Sequence, residues 1–141
     1  APLWTQRAQR SRRTPRVDEP VERIARQVVD AALTVHRALG PGLLETVYEQ
    51  CLAYELGRRD VQVRRQISMP VVYGGLALEV GYRLDMLVGE AVVVEVKSVE
   101  ALSRLHEAQL LTYLKLADKR LGLLINFNVV LLKYGVRRLV R

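Results

Sequence analysis

The chain has 141 residues, half of them hydrophobic, enough for one domain with a real core. Its single cysteine, Cys51, excludes an internal disulfide and fits a reducing, cytoplasmic setting, and no apolar run approaches the roughly 20 residues of a membrane span. The net charge is +7, but five arginines and no acid stand within residues 1–16, so the body is close to balanced and charge alone argues weakly for a nucleic-acid partner.

Residues 1–17 read as a disordered basic tail, carrying Arg7, Arg10, Arg12, Arg13 and Arg16 without hydrophobic periodicity. A phosphate-binding arm and a transit-type targeting segment are the functional alternatives. Residues 18–141 read as one domain. Asp18-Glu19-Pro20 opens a helix, with a capping acid followed by proline in the first turn. Ile24, Val28, Ala31, Ala32, Val35 and Leu39 form its apolar face, and Gly40-Pro41-Gly42 stops it. A second helix is expected from Leu43 to Arg58, with Leu44, Val47, Tyr48, Cys51 and Leu52 facing inward.

Strands follow at Val61–Ile67 and Met69–Tyr73, then a Gly74-Gly75 turn, then Leu76–Val88 with a bend near Gly81. Gly89-Glu90 turns the chain into Ala91–Lys97, which is rich in valine. A third helix spans about Glu100 to Ala117. Strands are expected at Leu121–Phe127, Val129–Tyr134 and Val136–Val140. Consecutive strands imply antiparallel pairs, and the third helix implies a crossover that sets Leu121–Phe127 parallel to Ala91–Lys97. The fold class is α/β: a mixed sheet with helices packed on its faces.

Charged residues in the Ala91–Lys97 strand raise a chemical question. Glu95 and Lys97 share one face, because strand side chains alternate. Such a pair is common on a solvated strand, so alone it says little. Asp85 lies on the preceding strand, and its neighbours Leu84 and Met86 should point the other way. Pairing Asp85 with Glu95 on one face needs the three-residue connection Gly89-Glu90-Ala91. A two-residue Gly89-Glu90 turn would set Asp85 opposite Val94, unless a bulge shifts the register. If the three-residue connection forms, two carboxylates and an ammonium converge. Close like charges disfavour joint ionisation unless a cation neutralises them, and oxygen donors select Mg²⁺ or Mn²⁺. Such an ion can promote phosphodiester hydrolysis. Glu45 and Tyr48 stand one turn apart on the second helix, and His106, Gln109 and Tyr113 form a polar stripe on the third.

Glu45, Asp85 and Glu95-Val96-Lys97, in that order, resemble the PD-(D/E)XK nuclease superfamily. The proline that usually precedes the Asp is replaced by Leu84. Gln109-x-x-x-Tyr113 is similar to the RecB-type branch, and Gly42-Leu-Leu-Glu45-Thr-Val-Tyr48 resembles the bacterial group called GxxExxY proteins. The stretches 80-VGYRLDMLV-88, 106-HEAQLLTYLKL-116 and 121-LGLLINFNV-129 also look like that group. The resemblance implies a restriction-endonuclease-like fold with an α-β-β-β-α-β core. It implies that Asp85, Glu95 and the Val96 carbonyl hold Mg²⁺ or Mn²⁺, with Glu45 joining directly or through water. Lys97 would serve the nucleophile, Gln109 and Tyr113 would orient the reacting groups, and Tyr48, Arg83 and His106 would bind substrate. An iron–sulfur cluster is excluded, since it needs four cysteines. The expected activity is metal-dependent cleavage of nucleic acid, DNA ahead of RNA, without strong sequence specificity. The alternatives are a binding module that does not turn over and a dimeric Holliday-junction-type resolvase. A homodimer would use the strands after Asn126, by analogy only.

Overall fold

The computed structural model of the chain describes residues 17–141; residues 1–16 of the expected tail lie outside the described residues, and its last residue, Val17, is partly buried against the core. The elements run α1 (Glu19–Leu39), α2 (Glu45–Arg58), β1 (Val63–Tyr73), β2 (Leu76–Val88), β3 (Val92–Lys97), α3 (Arg104–Ala117), β4 (Leu121–Asn126), a 3₁₀ turn at Leu132–Tyr134, and β5 (Val136–Val140). The five strands form one sheet in the order β1-β2-β3-β4-β5. β3 and β4 are parallel and every other pair is antiparallel. This is the restriction-endonuclease-like α/β fold.

The two central strands explain the valine and leucine runs. Val92 to Val96 and Leu121 to Asn126 are buried on both faces, because helices cover each side. On one face, Ala25, Val28, Ala31 and Ala32 of α1 and Leu52 and Leu56 of α2 pack on Val92, Val94, Val96, Leu121 and Ile125. On the other, Leu110 and Leu114 of α3 pack on Leu87, Val93 and Leu124. Each such buried valine, leucine or isoleucine contributes about 1.5–3 kcal/mol relative to exposure, and each alanine less. Gly122 sets the closeness of the second face, since a Cβ there would meet the Leu110 side chain at 3.0 Å. Among the described residues no helix is long and apolar enough to cross a membrane.

Several boundaries differ from the sequence reading, each for a physical reason. Val61–Ile67 and Met69–Tyr73 merge into β1, with a register irregularity between Met69 and Val71 that accommodates Pro70 on an edge strand. α3 starts at Arg104 rather than Glu100, because Ser103 caps it. Residues 129–134 form bends and a 3₁₀ turn rather than a strand. The inner face of α2 is also corrected: Val47 is at the exposed limit and Leu44 is well exposed, whereas Glu49 is buried. α3 packs less completely than its leucines suggest, leaving Leu105, Leu111 and Leu116 exposed.

Candidate active site

The hairpin connection decides whether the charged residues meet. Val88 pairs with Val92, Leu87 with Val93 and Met86 with Val94, so the connection is Gly89-Glu90-Ala91. Glu90 takes the left-handed conformation at φ 56° beside Gly89 at φ 58°, which reverses the chain in this short span. Continuing that register by one residue sets Asp85 opposite Glu95. The ladder gives way there, and side chains take over the bonding. The Asp85 N–H donates to Glu95 Oε1 at 3.2 Å, and the Val96 N–H donates to Asp85 Oδ2 at 3.0 Å. The two carboxylates therefore share the fork between β2 and β3.

Electrostatics at the fork are unfavourable to two anions. Glu95 is only 4% exposed, and its pKa is pushed up to about 9, first by burial and then by the Asp85 charge. The Lys97 ammonium partly opposes this shift, so it lies within electrostatic reach of Glu95. Burial also raises the Tyr113 hydroxyl, and the charges of Glu95 and Asp85 add to the effect while Gln109 opposes it. α3 thereby brings Tyr113 within electrostatic reach of both carboxylates, with Gln109 as its hydrogen-bond partner. Tyr82, which the sequence reading did not single out, stacks on Tyr113 with ring centroids 4.9 Å apart. Its hydroxyl is buried with no hydrogen-bond partner among the described residues.

The Gly42-x-x-Glu45-x-x-Tyr48 motif builds the approach to this fork. Gly40 and Gly42 hold φ of 72° and 98°, a conformation that favours glycine. The Tyr48 hydroxyl donates to the Gly40 carbonyl at 2.5 Å and accepts the Leu43 N–H at 3.1 Å. Its ring lies against Phe127, centroids 4.6 Å apart and 8° from parallel. Ser98, just past Lys97, donates its hydroxyl to the Leu43 carbonyl at 2.7 Å. The turn is thus fastened to both α2 and the end of β3, and Glu45 is the first helical residue after it.

Two residues expected at the substrate have structural roles. Tyr48 is fully buried with its hydroxyl committed to the turn, so it is a clamp and has no surface for substrate. His106 is half-buried and its Nδ1 accepts the Ser103 N–H at 3.0 Å, completing a capping box at the start of α3. Arg83 is exposed on β2, two residues before Asp85. A cleft of about 440 Å³ near Gly40 and Pro41 is lined by none of the expected site residues.

A family model for the PD-(D/E)XK nuclease superfamily matches residues 22–139. The chain belongs to the PD-(D/E)XK nuclease superfamily. No curated protein and no solved structure matches it. Members of this superfamily typically use divalent metals. Among the described residues, no group of three or more His, Cys, Asp or Glu side chains is placed to hold an ion, so Glu45 does not complete a three-carboxylate cage. The donor chemistry of the fork nonetheless fits a hard cation. Two oxygen donors face each other, and burial with the Asp85 charge raises the Glu95 pKa despite the opposing Lys97 charge, a penalty that a cation between them would relieve. Mg²⁺ commonly takes one or two protein carboxylates and fills its remaining positions with water and substrate phosphate.

Proposed function

We propose that this superfamily member is a Mg²⁺- or Mn²⁺-dependent nuclease of the GxxExxY, RecB-like kind, cleaving nucleic acid, DNA ahead of RNA, without strong sequence specificity. One observation carries the reading. The Asp85 carboxylate bonds across to β3, the Glu95 carboxylate bonds back to β2, and Lys97 stands two residues further along the same strand.

Asp85, Glu95 and the Val96 carbonyl would hold the cation, with Glu45 acting from the start of α2 through water. A bound divalent ion supplies Lewis acidity toward the scissile phosphodiester and its attacking water. Lys97 then orients that water or offsets charge growing on the phosphate oxygens. Tyr113 and Gln109, carried by α3, fix the orientation of the carboxylates and Lys97. Arg83 offers an exposed guanidinium near the fork for a substrate phosphate.

The deciding experiment incubates the protein with single-stranded, duplex and branched DNA and with RNA, in Mg²⁺, in Mn²⁺ and in chelator. Cleavage that needs the metal supports the reading, and the product pattern separates exonuclease from junction resolvase. Binding without cleavage in either metal would replace it with a binding module.

A further inference from the structure

Glu49 stands outside the set of residues assigned to the reaction, yet it is a buried acid beside that set. Its side chain is 6% exposed. A buried carboxylate is costly unless paired and hydrogen-bonded. Here Gln66 Nε2 donates to Glu49 Oε1 at 2.7 Å, and Arg65 Nη2 lies 3.6 Å from Oε2. Consecutive residues of a regular strand point to opposite faces, so Arg65 and Gln66 should not reach one carboxylate. They do because Gln66 has φ 52°, a left-handed conformation that costs a residue with a side chain about 1 kcal/mol or more.

The kink sits at one particular rung. Arg65 pairs with Met86 and Ile67 with Leu84, so Gln66 faces Asp85. β2 breaks its alternation at the same place. Leu84 and Met86 should share a face, yet Leu84 packs with the α3 cluster and Met86 with the α1–α2 cluster. β1 does likewise, since Val63 packs with the α1–α2 cluster and Ile67 with the α3 cluster. Both strands thus twist over at Gln66 and Asp85, where the Asp85 carboxylate turns to the Val96 amide.

We infer that Glu49 is a positioning residue for the carboxylate fork: by holding Gln66 in its left-handed conformation it sets the rung that aims Asp85 at β3. The inference rests on the nuclease reading of that fork. Glu49 acts through Gln66 and touches no reacting group.

Three variants of the 141-residue chain test it. Glu49→Leu fills the site without an acceptor. Glu49→Gln keeps an acceptor for Gln66. Gln66→Gly removes the clamp at an exposed position whose φ suits glycine, so it folds even if Glu49→Leu does not. Two readouts are taken: the Val96 amide signal and its hydrogen exchange in metal-free protein, and Mn²⁺ affinity by calorimetry with kcat and KM alongside. Glu49→Leu and Gln66→Gly should shift the Val96 amide and speed its exchange. They should also weaken Mn²⁺ binding by about 10-fold to 100-fold, the usual loss when a partner of a metal ligand is removed, and lower kcat more than KM changes. Glu49→Gln should stay close to wild type. If the clamp variants lower only the melting temperature and leave the Val96 amide and Mn²⁺ affinity unchanged, Glu49 is merely structural and the inference is overturned. If wild-type protein neither binds Mn²⁺ nor cleaves, the nuclease reading falls first and the positioning role falls with it.

Discussion

The Asp85 carboxylate accepts the Val96 amide across two strands at 3.0 Å, at the rung where β2 and β3 stop pairing through their backbones. This single bond makes Asp85 both a fold element and the candidate first ligand. Asp85→Ala removes the carboxylate and strands the Val96 N–H. Mn²⁺ affinity should fall by at least about 100-fold, since losing a ligand costs more than losing a ligand's partner. Cleavage should be lost with it. Calorimetric titration of the variant checks the first and a cleavage time course the second; cleavage at the wild-type rate would remove Asp85 from the site.

Lys97 should behave differently. Lys97→Ala leaves Asp85, Glu95 and the Val96 carbonyl in place and deletes a nearby positive charge. Mn²⁺ should bind as tightly or more tightly. The rate of hydrolysis at saturating metal should fall by roughly 100-fold or more, the scale of losing one group that positions or stabilises reacting charge. The pair of results, metal kept and turnover lost, is the signature. A variant as fast as wild type would reduce Lys97 to the solvated end of β3.

Much of this layout was legible in the sequence, for reasons that can be traced to particular residues. The valine run of β3 and the leucines of β4 announce strands covered on both sides, and the third helix between them dictates their parallel pairing. Parity alone reduced the Asp85 question to the length of one hairpin connection, and the three-residue form is the one present. The rest failed where local pattern carries no trace of a distant partner. Nothing in a strand marked by β-branched neighbours announces that Gln66 turns left-handed, because glutamine is not a residue with that preference. Glu49 was not singled out, because its partners, Arg65 and Gln66, lie 16 and 17 residues away. Val129–Tyr134 has strand composition but forms bends and a 3₁₀ turn ahead of β5, closed by local bonds such as Tyr134 N–H to the Leu131 carbonyl.

The Tyr48 clamp gives a stability prediction that needs no activity assay. Tyr48→Phe keeps the ring on Phe127 but leaves the Gly40 carbonyl and Leu43 N–H without their partner. Unfolding free energy should drop by about 1–3 kcal/mol, the cost of unpaired groups at a part-buried site. Denaturant titration should show a lower midpoint with the same slope. Turnover should also fall, since the same turn sets the start of α2 and hence Glu45. A midpoint within error of wild type would show that the hydroxyl does not hold the turn.

Residues 1–16 lie outside the described structure, but their five arginines make a chemical prediction. Each can neutralise a phosphate and release a counterion, so deleting the segment should weaken nucleic-acid binding and flatten its salt dependence. The cleavage pattern should be unchanged. A deletion that leaves the salt slope as it was would show that these arginines make no phosphate contacts.

Glu95 makes the metal-free protein sensitive to pH in a defined direction. Its ordinary pKa of 4.5 is raised to about 9 in the folded chain, chiefly by burial and then by Asp85. Below the unfolded value the carboxyl is protonated in both states and costs nothing. As pH rises from there toward the folded value, the unfolded chain releases the proton while the folded chain keeps it. The folded state then binds more protons, so its stability falls with rising pH, by up to about 1.4 kcal/mol per unit for one group. Glu95→Gln cannot titrate and should remove this slope, leaving the variant more stable than wild type in chelator at neutral pH. Mn²⁺ should reverse the trend for wild type, because its binding displaces the proton and strengthens as pH rises. Thermal melts of both proteins in chelator and in Mn²⁺, over about pH 5 to 9, measure the difference directly. If the two proteins show parallel pH profiles in chelator, Glu95 does not carry the extra proton, and the account of the fork as two acids that cannot both ionise without a cation is wrong.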